Sequence, residues 1–207
     1  MISAVHADAF VESQNSGAPL TVRKAGMRDI PLILGLINGY AARGIMLPRT
    51  EFEMSEAIRD FSVVTHRGEL LGCGALHFYS PTVAEIRSLA VSDTAKTKGV
   101  GRRIVEALIA EANQYELDAV FAFTYVEEFF QKVGFSVVER GVLPLKVWKD
   151  CVRCSKFSAC DEIAVLRILR PERWNGSDSP VWGQSQGTLD DLIQLPVPLR
   201  LAPIPPK

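Results

Sequence analysis

No run of about eighteen apolar residues occurs anywhere in the chain, so nothing in it reads as a membrane span. The opening stretch, MISAVHADAFVESQNSGAPL, lacks both a basic start and an apolar segment behind it. It is expected to be a loose leader (residues 1–20), not a secretory signal. Neither sign of charge dominates. Lys and Arg number 23 against 24 Asp and Glu, a net charge of −1. That balance excludes the broad basic field that nucleic acid or anionic lipid would require. Cysteine is scarce: there are four, and Cys151, Cys154 and Cys160 lie close together. A disulfide framework is not expected, and the default compartment is the cytoplasm. What remains is ordinary for a globular protein, with 47% hydrophobic and 23% charged residues. The 207 residues suit one domain with short extensions and can bury a sizeable core without disulfides.

Periodicity predicts the elements. TVRKA (21–25) reads as a short strand. Asp29 followed by Pro31 predicts a capped helix start, with Ile30, Ile33, Leu34 and Ile37 as its apolar period and Gly44 as its end. Thr50 and Glu53 have capping-box spacing for a second helix, whose apolar stripe is predicted at Phe52, Ala57 and Ile58. FSVVTH, ELLGCGALHFY and VAEIRSLAVS read as three strands, joined by turns at Arg67-Gly68 and Ser80-Pro81. The alternation at Ile86, Leu89 and Val91 is irregular and predicts a bulge. A helix carrying Ile104, Val105, Leu108, Ile109 and Ala112 follows, then a buried strand DAVFAFT, a short helix ended by Gly134, a strand from Phe135, and a last strand over 161–169. The order predicts an α/β fold, a mixed sheet with helices on its faces, over residues 21–170. Residues 171–207, rich in Gly, Ser, Pro and Gln, read as a poorly packed tail.

The most informative segment is EIRSLAVSDTAKTKGVGRRIVEALIAEA, a strand that leads through Lys98-Gly99-Val100-Gly101-Arg102 directly into a helix. Unpaired N–H groups and partial positive charge at a helix entrance suit a pyrophosphate, and glycines allow its close approach. Lys96, Lys98, Arg102 and Arg103 add positive charge. The alternative is a glycine turn before a surface helix. The nucleotide pattern GxxxxGK[ST] is absent, and so is GxGxxG, because Arg102 and Ile104 follow the second glycine.

The segment resembles the acetyl-CoA site of GNAT acetyltransferases, whose loop reads [QR]-x-x-G-x-[GA]; here those positions are Lys96, Gly99 and Gly101. Lysine at the first position keeps the charge but loses the planar fork of arginine. The resemblance implies that backbone groups of Leu89, Ala90 and Val91 hold the pantetheine and thioester. It also implies that N–H groups from Lys98 to Arg102, Val100 included, hold the pyrophosphate. GIMLPRT, FSVVTHRGELLGCGAL, EIRSLAVSD and VWKDCVRC together resemble bacterial amino-acid N-acetyltransferases, in particular a short stand-alone form of N-acetylglutamate synthase. That likeness implies acetyl transfer to the α-amino group of L-glutamate or glutamine, at the first step of arginine synthesis. Fuller relatives carry an arginine-binding, kinase-like domain for which this chain is expected to have no room.

By the same resemblance Glu85 takes the position of a base acting directly or through water; otherwise it is a surface strand glutamate. Arg49 matches a basic position for a substrate carboxylate, its alternative being a loop arginine paired to an acid. Arg87, two residues from Glu85 and on the same strand face, serves either a carboxylate or a structural ion pair. Phe130 stands where many GNAT enzymes place an acidic tyrosine, which leaves Tyr125 as the nearest phenol and water as the other proton source. His66 and His77 read as strand residues, with no partner for His77 evident in the sequence.

The C-x2-C-x5-C spacing of Cys151, Cys154 and Cys160 suits a structural Zn²⁺, with Cys73, Asp161 or a second subunit as the fourth ligand; the alternative is three packed thiols. Lys156 and its basic neighbours read as a solvated face, or as lying near CoA phosphate. The expected partner is a small amino acid, with no nucleic acid and no membrane, and a homo-oligomer is compatible. Two other functions compete: acetylation of a different amine, and CoA sensing without turnover.

Overall fold

A computed structural model of the chain describes residues 19–139, 143, 156 and 159–174. The chain divides into two compact units, one made of the residues up to His77 with Glu85–Glu116, the other of Phe78–Ala84 and the residues from Leu117 onward.

The first unit contains β1 (Thr21–Lys24), α1 (Ile30–Ala41), α2 (Glu51–Ala57), β2 (Phe61–His66), most of β3 (Glu69–Phe78) and β4 (Val83–Val91), and α3 (Val100–Gln114). Its strands lie in the order β1-β2-β3-β4. β2 runs antiparallel to both β1 and β3. The β2–β3 connection is the tight turn the sequence announced. Arg67 and Gly68 both take left-handed backbone, φ 49° and 83°, and His66 pairs with Glu69 across it.

Alternation along β3 assigns each sheet face its own helices. Cys73 and Ala75 join Ile30, Ile33, Ile37, Met54, Ile58, Phe61, Val63 and Ala90 in one core cluster, which seats α1 and α2. Gly72 and Gly74 lie beneath α3. A Cβ on Gly72 would come within 2.9 Å of Ala90 O and of Val100 Cγ1, and one on Gly74 within 2.8 Å of Ile104 Cγ2. The helix therefore rests on bare backbone. Ile104, Val105, Leu108 and Ala112 are fully buried, and Ile109 nearly so, as the helical period predicted, and Val100 of the loop motif is buried with them. Each of the branched side chains among them contributes on the order of 1.5–3 kcal/mol of burial, and Ala112 about 0.8 kcal/mol.

Two expectations for α1 and α2 need correction. Asp29 does not cap α1 with its side chain. Its carboxylate accepts the Gly26 N–H at 2.8 Å and two hydrogen bonds from the Arg23 guanidinium at 2.7 and 2.8 Å, so it fastens the approach to the helix. The guanidinium holds the Asp29 carboxyl below its ordinary value. In α2 the capping box is present as expected, with Glu53 N–H donating to Thr50 Oγ1 and Thr50 N–H to Glu53 Oε2. Phe52, however, is 72% exposed and Met54 is fully buried. The helix begins at Glu51, and about 100° per residue places residue 52 roughly opposite Met54.

In the second unit β5 (Ala119–Thr124) pairs antiparallel with β7 (Ile163–Ile168), which also pairs with β6 (Ser136–Val137). The expected strand 161–169 is thus present in the interior of this sheet portion. α4 (Glu127–Lys132) ends at Gly134, φ 87°, and Phe130 packs edge-on against Phe129 and Phe135. The unit's core gathers Val83, Ala119, Phe121, Leu143, Ala164 and Leu166. Asp118 O accepts the amides of Leu169 and Arg170, while the Asp118 carboxylate pairs with Arg173 at 2.8 Å. Trp174 packs against the same core, so packing continues past Pro171 into the stretch read as tail.

Gly72→Ala is expected to lower the unfolding free energy by about 1–3 kcal/mol, because the new methyl meets a backbone oxygen that cannot rotate away. Gly35→Ala, in α1 with open space around the new atom, is expected to raise it by about 0.5–1 kcal/mol. Urea denaturation of the two variants checks both signs. Equal stability of Gly72→Ala and wild type would show that α3 does not rest on β3 as closely as described.

Candidate active site

β4 loses its regular pleat at Ser88, whose φ of 53° is left-handed within the strand. This is the irregularity that the alternation predicted. Before it, Glu85 and Arg87 leave one face. After it, Leu89 reaches the α3 side beside Gly74, and Ala90 enters the core under α1. Val91 O accepts the Tyr40 hydroxyl at 2.7 Å, so the strand's end is tied to α1.

The loop from Ser92 to Gly99 is short and internally bonded. Ser92 N–H donates to Leu71 O at 2.8 Å, Ala95 N–H to Ser92 O at 2.8 Å, and Lys98 N–H to Ala95 O at 3.1 Å. Ala95 is buried, which pins the loop's middle. Gly99, φ 72°, makes the left-handed step that a side chain would resist, and α3 begins at the next residue. Arg103 N–H to Gly99 O is the first helical bond. The amides that helix geometry leaves open are therefore those of Gly99, Val100, Gly101 and Arg102. Lys98, expected to contribute its amide as well, spends it on the turn.

Two of the cations around this loop, Lys96 and Arg102, already have partners. Lys96 Nζ lies 2.6 Å from Asp93 Oδ1 and 5.5 Å from the centre of the Tyr40 ring. Arg43 covers the same ring at 4.2 Å and reaches Asp93 at 3.5 Å. Arg102 Nε pairs with Glu106 Oε1 at 2.7 Å, one helical turn on. A shallow depression of about 350 Å³, lined by Leu20, His66, Glu69, Leu71, Thr94 and Lys98, borders the loop; neither Arg49 nor Glu85 lines it.

Arg49 comes to the strand break itself. Its Nε donates to Ser88 Oγ at 3.3 Å. Its backbone is gripped by Asn38, with Arg49 N–H donating to Oδ1 at 2.9 Å and Nδ2 donating to Arg49 O at 3.0 Å. Cys73 sits beneath, its Sγ 3.8 Å from Ser88 O. Burial pushes its thiol up to about 12, while backbone hydrogen bonding and the Arg49 charge pull the other way. Glu85 is 1% exposed, which overturns the surface-glutamate alternative. Arg87, two residues on, is half-buried. The first unit thus brings together Arg49, Ser88, the β4 end, the loop and the α3 entrance.

Tyr125 belongs to the second unit and is 39% exposed. Its hydroxyl donates to Asp161 Oδ1 at 2.9 Å and accepts from Lys156 Nζ at 3.1 Å, and the ammonium also lies 4.8 Å from the ring centre. Burial raises the phenol above its ordinary value, Asp161 adds to the rise, and Lys156 opposes it. Lys156 keeps an exposed side chain, in line with the solvated face expected of it, and is at the same time a partner of Tyr125. Asp161 is engaged by these bonds, and Cys73 is a buried thiol of the first unit. Cys151 and Cys154 lie outside the described residues. Cys160 is half-buried, 3.8 Å from Glu162 Oε2. Among the described residues no group of three His, Cys, Asp or Glu side chains is placed to hold a metal. His77, for which the sequence suggested no partner, has its Nδ1 3.2 Å from Asp60 Oδ2. Phe130 is buried core. Asn38, Tyr40 and Asp93 escaped the sequence reading. Asn38 and Tyr40 flank a glycine on a helix chosen for its apolar period, and only the fold brings them to residues about ten and fifty positions away.

Residues 42–135 match the Acetyltransferase (GNAT) family. The chain is 41% identical over 152 residues to an uncharacterized N-acetyltransferase of Chlorobaculum tepidum, covering 73% of this chain and 98% of that protein. It is 34% identical over 153 residues to an amino-acid acetyltransferase of Mycobacterium tuberculosis, covering 72% and 87%. Its fold matches N-acetylglutamate synthase from Neisseria gonorrhoeae, solved with coenzyme A and N-acetyl-glutamate, at a TM-score of 0.66 and 31% identity. That match covers 74% of this chain and 36% of the synthase, so the chain spans about a third of the synthase's length.

Difference absorbance near the phenolate band, wild type minus Tyr125→Phe, should show Tyr125 ionising above the ordinary phenol value of 10.0, so that it is fully protonated at neutral pH. A component that ionises below that value would contradict the geometry around Lys156 and Asp161.

Proposed function

The chain belongs to the GNAT acetyltransferase family and has its α/β fold, and from that premise we propose that it transfers the acetyl group of acetyl-CoA to the α-amino group of L-glutamate or glutamine. The observation that carries this reading is Arg49, a cation held at the break of β4, in the same unit as the helix entrance suited to a diphosphate. The N-acetyl-glutamate bound by the synthase of Neisseria gonorrhoeae supports the choice of acceptor.

In this reading the amides of Gly99, Val100, Gly101 and Arg102 hold the coenzyme pyrophosphate, with Lys96 and Lys98 adding charge. Backbone groups of Leu89, Ala90 and Val91 align the pantetheine and polarise the thioester carbonyl. Arg49, with Arg87 as a second cation, binds acceptor carboxylate. Glu85 takes a proton from the acceptor ammonium, directly or through water, and the freed amine attacks the thioester carbon. Collapse of the tetrahedral adduct breaks the C–S bond, the attacking nitrogen loses its second proton to solvent, and the thiolate takes a proton from water. The reaction belongs at the entry to arginine synthesis in the cytoplasm. Among the described residues no helix is long and apolar enough to cross a membrane.

Thiol release across an amino-acid panel tests the reading. Glutamate or glutamine should be acetylated, with Glu85→Gln lowering kcat about 100-fold or more. Arg49→Ala should raise the acceptor KM about tenfold or more while the acetyl-CoA KM changes little. Turnover of a polyamine with glutamate and glutamine both inert would remove the proposed acceptor. Coenzyme binding without turnover on any amine would remove the enzyme.

A further inference from the structure

We infer that Asn38 is a positioning residue for acceptor recognition, holding Arg49 at the strand break; this rests on the reading of Arg49 as the acceptor's cationic partner. Arg49 lies in a connection that forms no strand or helix of its own. A long side chain on such a segment would sample many directions, and binding a carboxylate would then carry the cost of ordering it. Asn38 removes that freedom at the backbone. Its Oδ1 accepts Arg49 N–H at 2.9 Å and its Nδ2 donates to Arg49 O at 3.0 Å. Only one orientation of the amide satisfies both bonds, because a flip would set N–H against NH₂ and oxygen against oxygen.

The clamp is itself rigid. Asn38 follows Ile37, which with Ile30 and Ile33 anchors α1 in the core that also contains Cys73 and Ala90. On the other side of Arg49, Thr50 is locked by the capping box of α2. Backbone is thus fixed on both sides of one arginine, and its Nε lands 3.3 Å from Ser88 Oγ. A residue that only closed the connection would need one such bond; this one uses its acceptor and a donor on the residue whose side chain reaches β4. Asn38 touches no substrate in this scheme and acts through Arg49 alone.

Steady-state kinetics of wild type, Asn38→Ala, Asn38→Asp, Arg49→Ala and the Asn38→Ala/Arg49→Ala double variant decide the point. Asn38→Ala should raise the acceptor KM about tenfold, with acetyl-CoA KM within about twofold of wild type. In the Arg49→Ala background it should add nothing further, the non-additivity expected of residues acting as one unit. Asn38→Asp keeps the acceptor for Arg49 N–H but sets a carboxylate oxygen against Arg49 O, so it should behave like the alanine variant; it serves as the reporter if Asn38→Ala does not fold. A wild-type acceptor KM, an equal rise for both substrates, or full additivity with Arg49→Ala each overturns the inference. Wild type active on another amino acid but not on glutamate or glutamine removes the glutamate reading, and the same KM split on that acceptor still decides Asn38. Wild type inactive on every amine overturns both.

Discussion

Helix α3 can begin where it does because β3 presents no side chain at two points beneath it. Gly72 and Gly74 let Val100 and Ile104 approach the strand backbone to a distance that a methyl group would occupy. The short loop from Ser92 to Gly99 can then close with its own hydrogen bonds, and the open amides of the first helical turn come to stand next to the end of β4. Separate the helix from the strand by one methyl and the loop must lengthen or tilt. The alignment of diphosphate and thioester in the proposed reaction depends on that approach.

A second constraint comes from the other face of the same sheet portion. α1 is buried through Ile30, Ile33 and Ile37, and its last turns carry two polar contacts in different directions. Asn38 holds the arginine proposed for the acceptor, and Tyr40 holds the carbonyl at the end of the strand proposed for the thioester. The left-handed residue Ser88 lies between these two ends of β4 and makes them compatible. It shifts the alternation, so that Leu89 reaches the α3 side beside Gly74 while Ala90 enters the core under α1. A non-glycine residue in that conformation costs on the order of 1 kcal/mol, and the surrounding hydrogen bonds offset it.

The fold was largely legible because its signals are local. The period of 3.6 placed α3, a continuous apolar run placed β5, Arg67-Gly68 announced its turn, and the disturbed alternation near Leu89 announced the break at Ser88. Phe52 misled because an apolar residue at the first turn of a short helix fits two stripes, and only packing selected Met54. Asp29 misled because its carboxylate had a stronger offer from Arg23 than from the helix amides. In the site, the chemistry of the glycine loop left two readings open, a pyrophosphate cradle and a turn before a surface helix, and the GNAT resemblance favoured the first. The partnerships Asn38–Arg49, Tyr40–Val91 and Tyr125–Lys156 were not readable, since each joins residues that the sequence separates and no pattern in composition links them.

The connection from Tyr40 to Arg49 is fastened at both ends: Ile45 N–H donates to Tyr40 O at 3.2 Å, and the Asn38 amide closes the far side. Between the fastenings Ile45 and Leu47 project exposed side chains. Such a tethered arch keeps its ends in register whatever those two positions carry. Ile45 and Leu47 can therefore vary without moving Arg49, whereas Met46 packs against the α1 core and cannot.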